Sequence, residues 1–140
     1  VHRAQSLLGQ LGVAHLENRT FATLSEGERK RVQVARALMP DPEFLLLDEP
    51  AAGLDVGGRE DLVRRLGSIA ADPSAPTTVL VTHHLEEIPV GFTHALLLRA
   101  GRVVAGGPID SVLTDDLVST TFGLPLQVDR NAGRWAARAT

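Results

Sequence analysis

Asp48 and Glu49 stand side by side at the end of the apolar run Phe44-Leu45-Leu46-Leu47, with Pro50 directly behind them. So short an apolar run reads as a buried parallel strand whose carboxyl end delivers two acids to a site, the edge at which open α/β sheets bind ligands. A hard cation such as Mg2+ takes carboxylate oxygen, and a water attacking a phosphate needs a second acid beside it as base. Asp48 and Glu49 supply one each. His83 follows the run Thr77 to Thr82, whose β-branched and apolar residues predict a second buried strand. Upstream, Ser25-Glu26-Gly27-Glu28 has the spacing of a capping box, with the Ser25 hydroxyl accepting from the amide of Glu28 and the Glu28 carboxylate reaching back to the amide of Ser25. A helix start exposes unpaired amides and a positive dipole end. Ser25 and Gly27 therefore form a natural cradle for a terminal phosphate.

Each feature also has a plainer meaning. Ser-x-x-Glu before a helix is far more often only a cap, an Asp-Glu pair closing a strand is usually a solvated loop, and a lone histidine is usually structural. Their succession along one short chain reverses those odds. Glu28 is expected to point back to the backbone, whereas Glu26 puts a charge near an incoming phosphate and weakens binding unless Arg29 or Lys30 offsets it. Arg29-Lys30-Arg31 reads as the polar face of its helix. His2, His15 and His94 lack such a setting and belong to surface or core, His84 receives no role, and Trp135 is expected to pack in the tail.

The elements that must position these groups follow from periodicity. Residues 2 to 11 carry Leu7, Leu8 and Leu11 at helical spacing, with Gly12 placed to end the helix in a left-handed turn. Val13 to Leu24 reads as a connection. The helix capped by Ser25 runs to about Met39, with Val32, Ala35, Leu38 and Met39 on its apolar stripe, and Pro40-Asp41-Pro42 stops it. Beyond the first strand, Pro50 to Asp55 is a tight loop, and Gly58 to about Ala71 is a helix with Leu62, Leu66 and Ile69 inward. A short helix at Leu85 to Ile88, a hairpin built on Ala95 to Leu98 and Arg102 to Ala105, and helical stretches after Pro108 and at Asp115 to Phe122 complete the order. Leu126 to Val128 and Arg134 to Ala137 are weakly strand-like.

A chain of 140 residues, 44% apolar and with a formal charge of -3, fits one soluble globular core. The slight acidity argues against nucleic-acid binding by a basic surface. Absence of cysteine excludes disulfides and thiolate metal sites. No apolar run reaches membrane-spanning length, so a membrane role would run through a partner. Val1 leads straight into a helical pattern, as a cut through a larger protein would.

Taken together, Leu24-Ser25-Glu26-Gly27-Glu28 with Arg31 resembles the Leu-Ser-Gly-Gly-Gln signature of the nucleotide-binding domain of ATP-binding cassette (ABC) transporters. Phe44 to Glu49 resembles its Walker B strand with the catalytic glutamate, Ala52-Gly53-Leu54-Asp55 its D-loop, and Thr82-His83 its switch-histidine loop. The likeness covers residues 1 to about 122, and Gly107 to Val128 looks more loosely like importers of metal chelates or siderophores. It implies an α/β fold, the carboxyl-terminal part of a P-loop NTPase (RecA-like) parallel sheet with flanking helices plus the end of the ABC helical subdomain. The implied divisions are 1–40 for that subdomain, 41–122 for the ATPase core and 123–140 for an extension. It further implies ATP and Mg2+ as ligands, Asp48 for the metal, Glu49 and His83 for catalysis, and Ser25, Gly27 and Asp55 for nucleotide. The implied partners are a second nucleotide-binding domain paired head to tail and transmembrane permease subunits, at the cytoplasmic face of the membrane. A soluble ABC-type ATPase of repair or translation, or an interaction module docking on a complete cassette, is the alternative; neighbouring permease genes or a tandem second cassette would discriminate.

One part is missing. A phosphate-binding loop needs Gly-x-x-x-x-Gly-Lys-Ser/Thr. The single lysine, Lys30, lies between Arg29 and Arg31, so this chain lacks the loop, and it lacks the strand carrying the family's Q-loop glutamine.

Overall fold

Leu7 and Leu11 turn one face of helix α1 (His2–Gln10) inward. The helix ends at Gly12, whose φ of 67° is the left-handed turn expected there. The amide of Gly12 donates to the Gly9 carbonyl and that of Val13 to the Leu8 carbonyl, the paired bonds of a Schellman end. The computed structural model describes residues 1–140 as two compact units, Val1–His83 and His84–Thr140.

In the first unit the connection from Val13 to Leu24 holds two 3-10 turns, Ala14–Leu16 and Phe21–Thr23, and buries Val13, Leu16 and Leu24. Helix α2 (Glu26–Leu38) starts on Ser25 with both capping-box bonds made, 3.3 Å from the Glu28 amide to the Ser25 hydroxyl and 2.8 Å from the Ser25 amide to the Glu28 carboxylate. Hydrogen bonding from the Ser25 backbone holds the Glu28 carboxyl below its ordinary range. Its buried stripe is Val34, Ala35 and Leu38. Val32 only packs against the core, and Met39, expected inward, is exposed. Met39 is the cap residue, one step beyond the last helical turn, so it leaves the stripe.

Strands β1 (Phe44–Asp48) and β2 (Thr77–Val81) pair in parallel, with Asp48 opposite Val81. Helix α3 (Val56–Ala70) connects them and begins two residues earlier than expected, because Asp55 caps it by accepting from the Gly58 amide at 2.7 Å. Leu62, Val63 and Leu66 are its buried residues. Leu45 and Leu47 join the core formed with α1, α2 and α3. Burial of β1 on both faces is not what the structure has: Phe44 and Leu46 are 58% and 61% exposed, and Val79 and Val81 of β2 lie open as well. The period of two in a strand explains it, since the helices cover one face only.

Two helices, α2 and α3, are joined at Asp61. Its carboxylate accepts from Arg65 at 2.8 Å, Arg64 at 2.9 Å and Arg31 at 3.0 Å. Partial burial works to raise its pKa, but the hydrogen bonds from Arg65 and Arg64 and the neighbouring charges outweigh it, and the carboxyl titrates below 3.8. A carboxyl depressed in the folded state adds stability above its unfolded value, and that stability is lost as pH falls through the folded pKa. Asp61→Asn is therefore expected to destabilise the fold by about 1–2 kcal/mol at neutral pH, a deficit that narrows as wild type is acidified below pH 3.8. Thermal melts of both proteins across that window check it, and the comparison separates Asp61 from Glu28 and Asp72, whose carboxyls are also held low.

The second unit is built on two hairpins. Strands β3 (His94–Arg99) and β4 (Arg102–Pro108) are joined by Ala100-Gly101, and β5 (Leu126–Asn131) and β6 (Arg134–Ala139) by Ala132-Gly133. Both pairs of turn residues have positive φ, the geometry that follows the twist of tight hairpins. Short helices α4 (Ile109–Val112) and α5 (Asp115–Phe122) pack with them, and Leu85, Leu97, Ile109, Val118 and Trp135 are among the core residues. Trp135 is thus a packing residue, with the Arg130 guanidinium 4.8 Å from its ring centre. Glu87, in the 3-10 turn Leu85–Glu87, is a buried carboxylate that no sequence pattern singles out.

Candidate functional site

β1 runs out of sheet at Asp48, and the chain then takes a conformation side chains rarely adopt. Glu49 has φ 45°. Three other non-glycine residues share that region. Ala100 and Ala132 lie in hairpin turns and Asp41 just beyond α2. Glu49 alone closes a core strand. Its amide still donates to the Val81 carbonyl at 2.8 Å and its carbonyl accepts from Ala52 at 3.1 Å, so both neighbours hold the kink in place.

That kink presents the Glu49 carboxylate to His83. Nδ1 of His83 lies 2.6 Å from Oε1 of Glu49. With the carboxylate as acceptor, Nδ1–H of His83 is the donor. The side chains of His83 and Glu49 are 58% and 40% exposed, and a pair so open to solvent contributes only about 0–1 kcal/mol. A left-handed non-glycine residue costs about 1–3 kcal/mol. The exposed pair alone does not offset that cost, and backbone strain of this kind clusters at functional sites.

Asp48, one residue earlier, is exposed at the strand end. No group of three or more His, Asp or Glu gathers anywhere as a cage for a metal. Mg2+ keeps several waters and takes one or two carboxylates together with substrate phosphates, so a single exposed carboxylate beside a phosphate site fits it.

At the start of α2, Ser25 and Gly27 occupy the first turn, with the amide of Ser25 and that of Glu28 already used by the capping box. Glu28 faces the backbone as its spacing predicts. Glu26 is held by Arg29 at 3.2 Å and lies 3.9 Å from Lys30, so both cations stand where they offset its charge. A side chain at Gly27 would meet Leu54, in the loop before α3, at 3.6 Å, so the start of α2 lies close to that loop. Asp55 uses its carboxylate on the α3 cap. The structure thus joins Glu49 to His83, sets Gly27 against the loop before α3, and leaves Asp48 at the same strand end as Glu49.

Known proteins are similar to this chain over most of its length. The ABC transporter family model matches residues 1–52. The ABC transporter ATP-binding protein YlmA of Bacillus subtilis, itself uncharacterized, is 46% identical over 132 residues, which is 94% of this chain and 50% of YlmA. The hemin import ATP-binding protein HmuV of Nocardia farcinica is 42% identical over 83% of this chain and 40% of its own. Among solved structures, one described as a metal-chelate type ABC transporter in an inward-facing conformation superimposes with a TM-score of 0.80 at 25% identity, over 98% of this chain and 55% of that one. The chain belongs to the ATP-binding protein family of ABC transporters. It spans about half the length of the curated relatives it matches. No helix in it is long and apolar enough to cross a membrane.

Proposed function

We propose that these residues are the signature and hydrolysis half of an ATP-hydrolysing subunit that drives an ABC transporter, with an importer of metal chelates or siderophores as the substrate class. The observation that carries the reading is the Glu49–His83 pair, held at 2.6 Å by a strained residue at the end of a core strand. In this reading Glu49 takes the proton of the attacking water and His83 orients Glu49 and senses the terminal phosphate. Asp48 would hold Mg2+, which when bound neutralises the phosphate oxygens. Ser25 and Gly27 would grip the ATP of a partner domain, and Asp55 would set the D-loop beside it by capping α3. Residues 1–40 would close the helical subdomain, 41–122 the ATPase core, and 123–140 an extension. The partners would be a second nucleotide-binding domain, paired head to tail, and transmembrane permease subunits; residence would be peripheral, on the cytoplasmic face. Likeness to a hemin importer and to a metal-chelate transporter supports the substrate class.

In this reading the lysine that reaches the β- and γ-phosphates belongs to a segment outside these residues. Positioning and charge neutralisation carry most of phosphoryl-transfer catalysis. ATP turnover is therefore expected from the full-length polypeptide and not from residues 1–140 alone, in parallel assays at equal concentration. Turnover by the 140-residue chain, abolished by Glu49→Gln, would contradict it.

A further inference from the structure

Gly27 is tied to the fold through Arg31, whose guanidinium in turn bonds Asp61, a residue that no motif contains. The Gly27 carbonyl accepts from Nε of Arg31 at 3.3 Å. The far end of the same guanidinium bonds Oδ2 of Asp61 at 3.0 Å. That oxygen also accepts from Nε of Arg65 at 2.8 Å, while Nη1 of Arg65 donates to the Gln10 carbonyl at the end of α1 at 3.0 Å. Gly12 leaves the space for it: a side chain there would stand 2.2 Å from the Arg65 guanidinium.

We propose that Asp61 is a positioning residue for the signature turn, clamping Arg31 so that the turn bearing Ser25 and Gly27 moves as one body with α3 and the D-loop that α3 begins on. The inference rests on the phosphate-gripping role proposed for that turn. The planar fork of Arg31 engages a helix carbonyl on one side and a carboxylate on the other, and Asp61 is the acceptor that orients it. Arg31 and Arg65 are each mostly covered, at 22% and 23% exposure, so solvent is a poor substitute partner. Arg64, at 72%, bonds only the other oxygen and contributes least. With Asp61 removed, Arg31 keeps one anchor, Arg65 loses its bond across α3, and the first turn of α2 can shift against Leu54.

The test uses the full-length polypeptide and four proteins: wild type, Asp61→Asn, Asp61→Glu and Gly27→Asp. ATP binding by the unpaired cassette and ATP-dependent turnover are measured on each, with turnover normalised to the fraction that binds ATP. A shift in the gripping turn is expected to raise the ATP concentration for half-maximal turnover about tenfold in Asp61→Asn, leaving binding by the unpaired cassette unchanged, and Asp61→Glu is expected to recover most of the loss. Normalised turnover of Asp61→Asn equal to wild type, or a loss that only follows the folded fraction, overturns the positioning role. Gly27→Asp separates the two levels: if it turns over ATP normally the signature reading itself fails, and if it is inactive while Asp61→Asn is unaffected only the role of Asp61 fails.

Discussion

Glu49→Gln in the full-length polypeptide is expected to lower ATP turnover about 10²–10⁴-fold, the range general-base catalysis contributes, with nucleotide binding retained. The amide oxygen of glutamine can still accept from Nδ1 of His83, so the 2.6 Å contact and the backbone kink it accompanies have no reason to change. What changes is proton affinity: an amide does not take a proton from water. Stability is expected to stay within about 1 kcal/mol of wild type, because an exposed pair contributes no more than that. Single-turnover measurements of bound ATP, with melts of both proteins, check the two halves of the expectation. If the Glu49→Gln variant hydrolyses ATP at the wild-type rate, Glu49 is not the base and its strained backbone has no chemical reason.

That strain is also where the sequence stops being readable. An apolar run followed by two acids is a local pattern, and a strand at Phe44–Asp48 follows from it. A positive φ at Glu49 does not, since it is imposed by Val81 and Ala52 holding the backbone from either side. The capping box was legible because Ser25 and Glu28 are three residues apart and satisfy each other without help. The meeting of Glu49 and His83 was legible at the coarser level of two adjacent strand ends, because parallel pairing brings both carboxyl ends to one edge. Which faces would be covered was not. Leu46 looks no different from Leu45 in a continuous apolar run, and only the placement of the helices leaves one 61% exposed and the other buried. Val13, Leu16 and Leu24 escaped for another reason. They sit in and around 3-10 turns, where neither the period of 3.6 nor that of 2 applies. Asp61 likewise carries no sequence signal: an acid on a helix with arginines three and four positions on reads as an ordinary solvated face, and its link to Arg31 spans elements.

The fold and the family are common ground between sequence and structure; the division of labour within the nucleotide site is the central claim. If Glu49 acts on one ATP while Ser25 and Gly27 of the same chain grip another, two different inactive variants can repair each other. A side chain at Gly27 meets Leu54 at an ordinary 3.6 Å, so Gly27→Asp is compatible with the fold, while its carboxylate repels a phosphate at the helix start. Mixing full-length Glu49→Gln with full-length Gly27→Asp should place both defects in one site of each mixed dimer and leave the other site intact. With random two-fold pairing, turnover is predicted to return to about a quarter of wild type. A mixture no more active than its two components, under conditions where subunit exchange is verified, would contradict the account.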